Sequence, residues 1–295
     1  IDPASEQDNF SIVVIELHAD HSRIVYGWST NRTQFKKRLK DAKKAGLDIE
    51  HDFYHYCARK IRNLMKVFPC EQIGMDAQGG GVAVEEALHD PDKLQSGEHI
   101  IWQIIEEKKK KDTDTEPGLH ILEMVQFARS EWTAQANHGL RKDLEDRVLL
   151  FPRFDPITIG LAIEDDKRAI SGGDRTRLYD SLEDCVMELE ELKDELSTIV
   201  MSKTGISGRD RWDTPEVKMP NGRKGRLRKD RYSALVIANM VARSIMRASP
   251  PPQYGLIGGT SKTLAKDKSG QMYNGPDWYT KGVNQNVCKG ISRRD

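Results

Sequence analysis

The sequence has no long apolar run, no closely paired cysteines and no net charge. Each absence removes a class of function. No stretch approaches the roughly 20 consecutive apolar residues that a membrane-spanning helix needs. The opening residues, Ile1-Asp2-Pro3-Ala4-Ser5, have neither a basic segment nor an apolar one, so they do not read as a signal peptide. The four cysteines, Cys57, Cys70, Cys185 and Cys288, lack CxxC spacing. That spacing argues against a zinc ribbon or a thioredoxin-like motif, and reduced thiols in a cytoplasmic compartment are expected. Lys plus Arg and Asp plus Glu each number 46. The chain is therefore not a uniformly basic nucleic-acid binder, although a local charge patch can still bind DNA. There is no internal repeat and no P-loop. Thr260-Ser261-Lys262-Thr263 lacks the glycine before the lysine and a strand ahead of it. An ATP-driven motor is not expected within these residues.

What is present is a chain of 295 residues, 37% hydrophobic and 31% charged. This composition is globular, at the polar end of normal, and long enough to bury a substantial core. The chain opens without Met on an apolar residue followed by Asp-Pro, which reads as a fragment of a longer protein.

Strands and helices are expected to alternate. The β-branched run at 10–18 predicts a buried strand, with 23–30 as its hairpin partner. A lysine-rich helix is expected over 33–45, ended by Gly46, and Asp48 is the expected cap of a helix running to Val67. A short strand over 71–75 leads into Asp76-Ala77-Gln78-Gly79-Gly80-Gly81, followed by a helix over 82–88. The charge run at 106–118 predicts an exposed loop. A strand is expected over 120–127 and an amphipathic helix over 130–149, closed by Phe151-Pro152. Residues 168–174 read as a loop, and Ser181 as the cap of an acidic helix reaching Leu196. A strand over 198–203, a basic Gly- and Pro-rich region over 205–229 and a strong helix over 230–247 complete the pattern. Residues 249–295 read as a flexible tail rich in proline and glycine. The alternation predicts an α/β protein with a mixed sheet.

Three carboxylates lie at the ends of regular elements: Asp2 before the first strand, with Asp8 shortly after it; Asp76 at a strand end before three glycines; and Asp230 at the start of an apolar helix. Phosphodiester hydrolysis needs charge compensation, an activated water and a stabilised leaving oxygen, and a pair of divalent ions supplies all three. Oxygen donors without His or Cys suit Mg²⁺ or Mn²⁺. The glycines after Asp76 permit close backbone approach. Taken singly, each carboxylate also has a structural explanation: a turn at Asp2, a helix cap at Asp76, a favourable helix-dipole charge at Asp230. Spacing alone does not choose between these readings.

Three segments resemble the nuclease domain of the terminase large subunit of tailed bacteriophages. Ile1-Asp2-Pro3-Ala4 with Asp8-Asn9-Phe10-Ser11-Ile12-Val13-Val14 is similar to its first catalytic strand and the strand that follows. Ile73-Gly74-Met75-Asp76-Ala77-Gln78-Gly79-Gly80 is similar to its second acidic segment, and Lys229-Asp230-Arg231-Tyr232-Ser233-Ala234-Leu235 to its third. Ala136-Asn137-His138 to Leu140-Arg141, with Phe151-Pro152, is a supporting stretch. The resemblance covers most of residues 1–248. It implies a ribonuclease H-like fold and a metal-dependent endonuclease that cuts concatemeric viral double-stranded DNA during genome packaging. It implies catalytic Asp2, Asp76 and Asp230, with Asp8 as a further metal ligand, and two Mg²⁺ or Mn²⁺ ions. Asp2 would bridge the ions, Asp230 would serve the water-activating ion and Asp76 the ion at the leaving group. Implied partners are DNA, a portal protein, a terminase small subunit and an ATPase domain upstream or on another chain. The implied location is the host-cell cytoplasm. Against the family pattern, the N-terminal ATPase is absent and the first strand, central in this fold, is truncated.

The densest basic stretch contains Arg223, Lys224, Arg226, Arg228 and Lys229, directly before Asp230. It is a candidate phosphate-contacting surface, which Arg209, Arg211 and Trp212 would extend. Its alternative is a solvated loop. His51 and His55 have i, i+4 spacing but no third zinc ligand and no HExxH motif. Two other functions compete: a resolvase- or transposase-type ribonuclease H-like enzyme, and a non-catalytic module docking on the portal or small subunit.

Overall fold

The computed structural model describes residues 1–3, 8–104, 117–127, 129–172, 181–203, 210–218 and 224–248. The charge run and the tail with its Thr260-Lys262 segment therefore lie outside the described residues, apart from Pro117 and Gly118. Ile1–Pro251 and Pro252–Asp295 separate as two units, and the first alone is described here. Its architecture is mixed α/β.

The β-branched run forms β1 (Phe10–Leu17), paired antiparallel with β2 (Ser22–Thr30). β2 pairs in parallel with the two-residue β6 (Leu149–Leu150). A second sheet has the order β3 (Ile73–Asp76), β5 (Leu119–Val125), β4 (Ile101–Gln103), all parallel. β1 and β3 do not pair with each other. Ile1 and Asp2 lie between them. Asp2 exchanges both backbone hydrogen bonds with Ser11 of β1, each 2.9 Å. On the other side Ile1 N donates to Gly74 O at 2.7 Å, and Asp76 N donates to Ile1 O at 3.2 Å. Two residues thus tie the two sheets, antiparallel to β1 and parallel to β3.

Each face of this arrangement is covered. On one side lie α1 (Arg32–Ala45), α2 (Phe53–Val67) and α3 (Gly81–His89). Phe10, Ile12, Tyr26, Trp28, Ile73 and Met75 point into the core they share with Phe35, Phe53 and Ile61. On the other side lie α4 (Ser130–Glu145), α6 (Leu182–Thr198) and α7 (Asp230–Ala248). There Val13, Ile24 and Leu149 meet Leu140, Leu189, Leu192, Tyr232 and Leu235. α5 (Pro156–Ser171) packs on α6 and buries only Asp166. Two small hairpins remain: β7 (Val200–Lys203) with β8 (Asp210–Asp213), and β9 (Glu216–Lys218) with β10 (Lys224–Arg226).

Several expectations are corrected. α2 is capped by Asp52, whose carboxylate accepts from Tyr54 N and His55 N, and not by Asp48. α4 ends at Glu145, short of Leu149, because Arg147 turns to a φ of 57° and releases Leu149–Leu150 to pair with β2. Arg168–Ser171, expected as loop, forms the last turn of α5, with Gly172 as its C-cap. Among the described residues, Cys57, Cys70 and Cys185 are not joined in disulfides. No described helix is long and apolar enough to cross a membrane.

Candidate functional site

Strand alternation decides where the first two carboxylates point, because successive side chains leave a strand on opposite faces. Ile1 belongs to the core under α2, so Asp2 projects to the α7 side. Gly74 faces α7 so closely that a Cβ there would stand 2.7 Å from Val241 Cγ2 and 2.8 Å from Ile237 Cγ2. Asp76, two residues on, projects to the same side. The turn beyond it needs glycine: a Cβ on Gly81 would fall 2.1 Å from Asp76 O, and Gly79 has a φ of 65°. α7 packs on β1 and β3 and brings Asp230, its first residue, to this face.

Each carboxylate has its own hydrogen-bond partners. Asp76 Oδ1 accepts from Gln78 N at 3.2 Å and Phe127 N at 3.4 Å. Asp230 Oδ2 accepts from Asn9 N at 2.9 Å. Asp2 accepts a side-chain bond from Ser233, one turn into α7. Burial pushes the Asp2 carboxyl up to about 8, the Asp230 charge pushes the same way, the Ile1 amino group opposes, and Asp76 adds a further upward push. Asp230 is also raised, first by burial, then relieved by the Asn9 N–H and raised again by Asp8. Like charges held close in a partly desolvated site favour the protonated form.

Asp2 therefore lies within the influence of both Asp230 and Asp76, and Asp230 within that of Asp8. The grouping is open: among the described residues, no set of three or more His, Cys, Asp or Glu is close enough together to hold a metal ion. The three carboxylates stand apart on separate backbone and hydroxyl partners. The oxygen-only donor chemistry is of the kind that suits Mg²⁺ or Mn²⁺.

The basic stretch is less free than its sequence implies. Asp213 gathers three of the cations here: Arg211 at 2.9 Å, Lys229 at 3.3 Å, and Arg226. Arg228 Nη1 donates to Asn9 Oδ1 at 2.7 Å. Lys229 also donates to Trp212 O at 3.1 Å, and its pKa is lowered by burial first and then by Arg211 and Arg226. Asp2 and Asp230 act on Lys229 in the opposite direction. Arg223, Arg209 and the side chain of Lys224 lie outside the described residues. His55 uses its two ring nitrogens on Asp52 and Asp90, at 3.1 and 3.4 Å, and His51 is exposed.

Sequence reasoning gave no role to Asn9 or Ser233. Buried Asn9 joins Asp230, Arg228 and the Nδ2 of Asn31, the last at 3.0 Å. Ser233 had a readable signal, since i, i+3 spacing places it on the helix face of Asp230. Asn9 had none, because its partners are more than 20 residues away. The supporting stretch does reach this region: Asn137 Oδ1 accepts from Tyr232 Oη, and His138 lies edge-on to Trp212 at 5.1 Å. No family profile, curated protein or solved structure matches the chain.

Proposed function

We propose that this chain is a divalent-metal-dependent DNA endonuclease with a ribonuclease H-like fold, of the kind carried by terminase large subunits. The observation that carries this reading is the position of Ile1–Asp2. Their backbone runs between β1 and β3, in the middle of the strand arrangement, where the resemblance expects the strand bearing the first acid. From there Asp2 shares one face with Asp76 and Asp230, whose charges both raise its pKa.

When bound, two divalent ions supply charge compensation and an activated water to a phosphodiester. Asp2, Asp76 and Asp230 would hold them, with Asp8 beside Asp230. The chain's own contribution is positioning. Ser233 and the Asn9 N–H orient the carboxylates of Asp2 and Asp230. Exposed Arg226 and Arg228 and half-buried Lys229 border the site and suit phosphate contact. Portal protein, small subunit and a separate ATPase are the partners this reading implies.

A structural reading has one observation in its favour. Asp76 and Asp230 already accept backbone N–H bonds, as capping residues do. Nicking of supercoiled plasmid in Mn²⁺ or Mg²⁺ separates the two. A nuclease loses cleavage with chelator and in both Asp76→Ala and Asp230→Ala, and its cleavage falls steeply with salt. Cleavage that survives both substitutions contradicts the assignment. A preference for branched junctions or transposon ends over plain duplex would move the reading to a resolvase or transposase.

A further inference from the structure

The lysine-rich run at 33–45 has no part in the candidate site. It folds as α1, in which seven of 14 residues are Lys or Arg and one, Asp41, is acidic. The whole chain carries 46 charges of each sign, so this excess is local. Buried Phe35 and Ala42 and half-buried Leu39 set the inner side, with Phe35 packed on Phe53 and Tyr56. At 3.6 residues per turn, exposed Lys36, Lys37, Lys40, Lys43 and Lys44 then fall within about 120° of arc on the outer side, along about 12 Å of axis.

Other helices set exposed cations against carboxylates. Arg141 pairs with Glu145 and Lys142 with Asp146 on α4, Lys193 with Glu190 on α6, and Lys167 of α5 with Glu183 of α6. On α1, Lys44 meets Asp41 at 4.0 Å, and among the described residues Lys36, Lys37, Lys40 and Lys43 have no ion pair. Lys40 stands three or four residues from each of the other four lysines. Like charges at that spacing oppose the helix. A solvated face gains nothing from this repulsion, whereas a bound polyanion relieves it.

We infer that the outer face of α1 is a nucleic-acid surface that holds the phosphate backbone of a duplex without reading its sequence. Lysine supplies point charges rather than the planar fork that reads a base edge or a carboxylate. A protein partner fits less well, because the cores of such interfaces are depleted in lysine and rich in aromatic groups. A lipid surface fits less well still, because the apolar residues of α1 are turned inward and none is left to enter a membrane. The amino end of α1 is tied to the candidate site. Its cap, Asn31, donates from Nδ2 to Asn9 Oδ1 at 3.0 Å, and Asn9 N donates to Asp230 at 2.9 Å. A duplex along the lysines therefore leads toward Asp230. That it leads to a cleavage centre rests on the nuclease reading; that it binds does not.

The test is fluorescence anisotropy of short labelled DNA duplexes of several sequences, titrated with the full chain in EDTA at a series of salt concentrations. Cleavage plays no part in this readout, so failure of the nuclease reading leaves it unaffected. The variants are Lys36→Gln/Lys40→Gln/Lys43→Gln, the same three positions changed to Arg, and Lys142→Gln/Lys167→Gln/Lys193→Gln as a control with equal loss of charge. The first is expected to weaken binding equally for every sequence and to reduce the slope of log K against log salt by about 3, or about 1 per lysine. The arginine variant should bind as wild type, and the control should change the slope by less than about 1. The α1 glutamine variant should also keep or raise Tm, since it removes like-charge neighbours. Absence of duplex binding by the wild type would overturn the proposal, as would an unchanged slope in the α1 variant or an equal fall in the control. So would unchanged duplex binding with loss of self-association in sedimentation, which would assign the face to a second copy of the chain.

Discussion

The two faces of the strand arrangement are built differently. The face under α2 is packed with apolar and aromatic side chains, among them Phe10, Tyr26, Trp28, Phe35 and Phe53. Its main buried charge is Arg62, satisfied by the carbonyls of Leu88 and His99 at 2.6 Å each. The face under α7 is threaded with polar contacts. Asp143 of α4 accepts from Asn239 at 2.9 Å and from Arg243 at 2.5 Å. Glu195 of α6 accepts from Tyr232 N and Arg231, both 2.9 Å, and Arg231 also reaches Glu188 at 2.7 Å. Apolar packing is non-directional and tolerates sliding, whereas buried hydrogen bonds fix rotation and register. The polar face is the one that carries Asp2, Asp76 and Asp230. The wiring of α7 to α4 and α6 thus sets where Asp230 stands.

This contrast can be broken from either side. The largest stability loss is expected on the apolar face: Met75→Ala, at a fully buried position, should cost about 2–5 kcal/mol in denaturant unfolding. Its effect should be global, with hydrogen exchange in α7 accelerated no more than elsewhere. Asp143→Ala should cost less, about 1–3 kcal/mol, by leaving Asn239 and Arg243 without their acceptor. Its signature should be local, with exchange in α7 accelerated selectively. A loss below about 0.5 kcal/mol, the scale of surface substitutions, would mean that the polar wiring does not hold the helix.

A smaller effect concerns pH. In the absence of metal the Asp2 carboxyl is raised from 3.8 to about 8. Between those values the folded state keeps a proton that the unfolded state has lost, so stability falls as pH rises through this window. Asp2→Asn should flatten the dependence of Tm on pH from 5 to 8. An unchanged slope would place the titrating group elsewhere. On the proposed metal-binding reading, divalent ions would compete with that proton, so stabilisation by Mn²⁺ should be larger at pH 8 than at pH 6.

Much of the fold was legible where one local signal sufficed. β1 follows from its β-branched run, α1 from the Gly46 stop, α6 from the Ser181 cap and α7 from its apolar period. α5 was missed because Ile157 and Leu161 are exposed, at 75% and 64%, and leave no clean apolar stripe. β4 has only three residues. The end of α4 was overrun because Leu149 and Leu150 extend a helical pattern that pairing with β2 overrides. At the candidate site, strand and helix ends drew notice to the three acids, but only the resemblance set them above a structural reading. Of their partners, Ser233 carried a local signal, whereas Asn9 and the residues that fix α7 did not. Asn9, Asp143 and Glu195 act across 36 to 221 residues of chain, and no local spacing encodes that distance.

The most direct test of the proposed metal centre is a crystal structure grown or soaked in Mn²⁺, read by anomalous diffraction. A nuclease centre predicts manganese peaks among Asp2, Asp76 and Asp230, with the carboxylates drawn together around them. The contradicting result is no manganese at this face, with Asp76 still on the Gln78 and Phe127 amides and Asp230 still on Asn9.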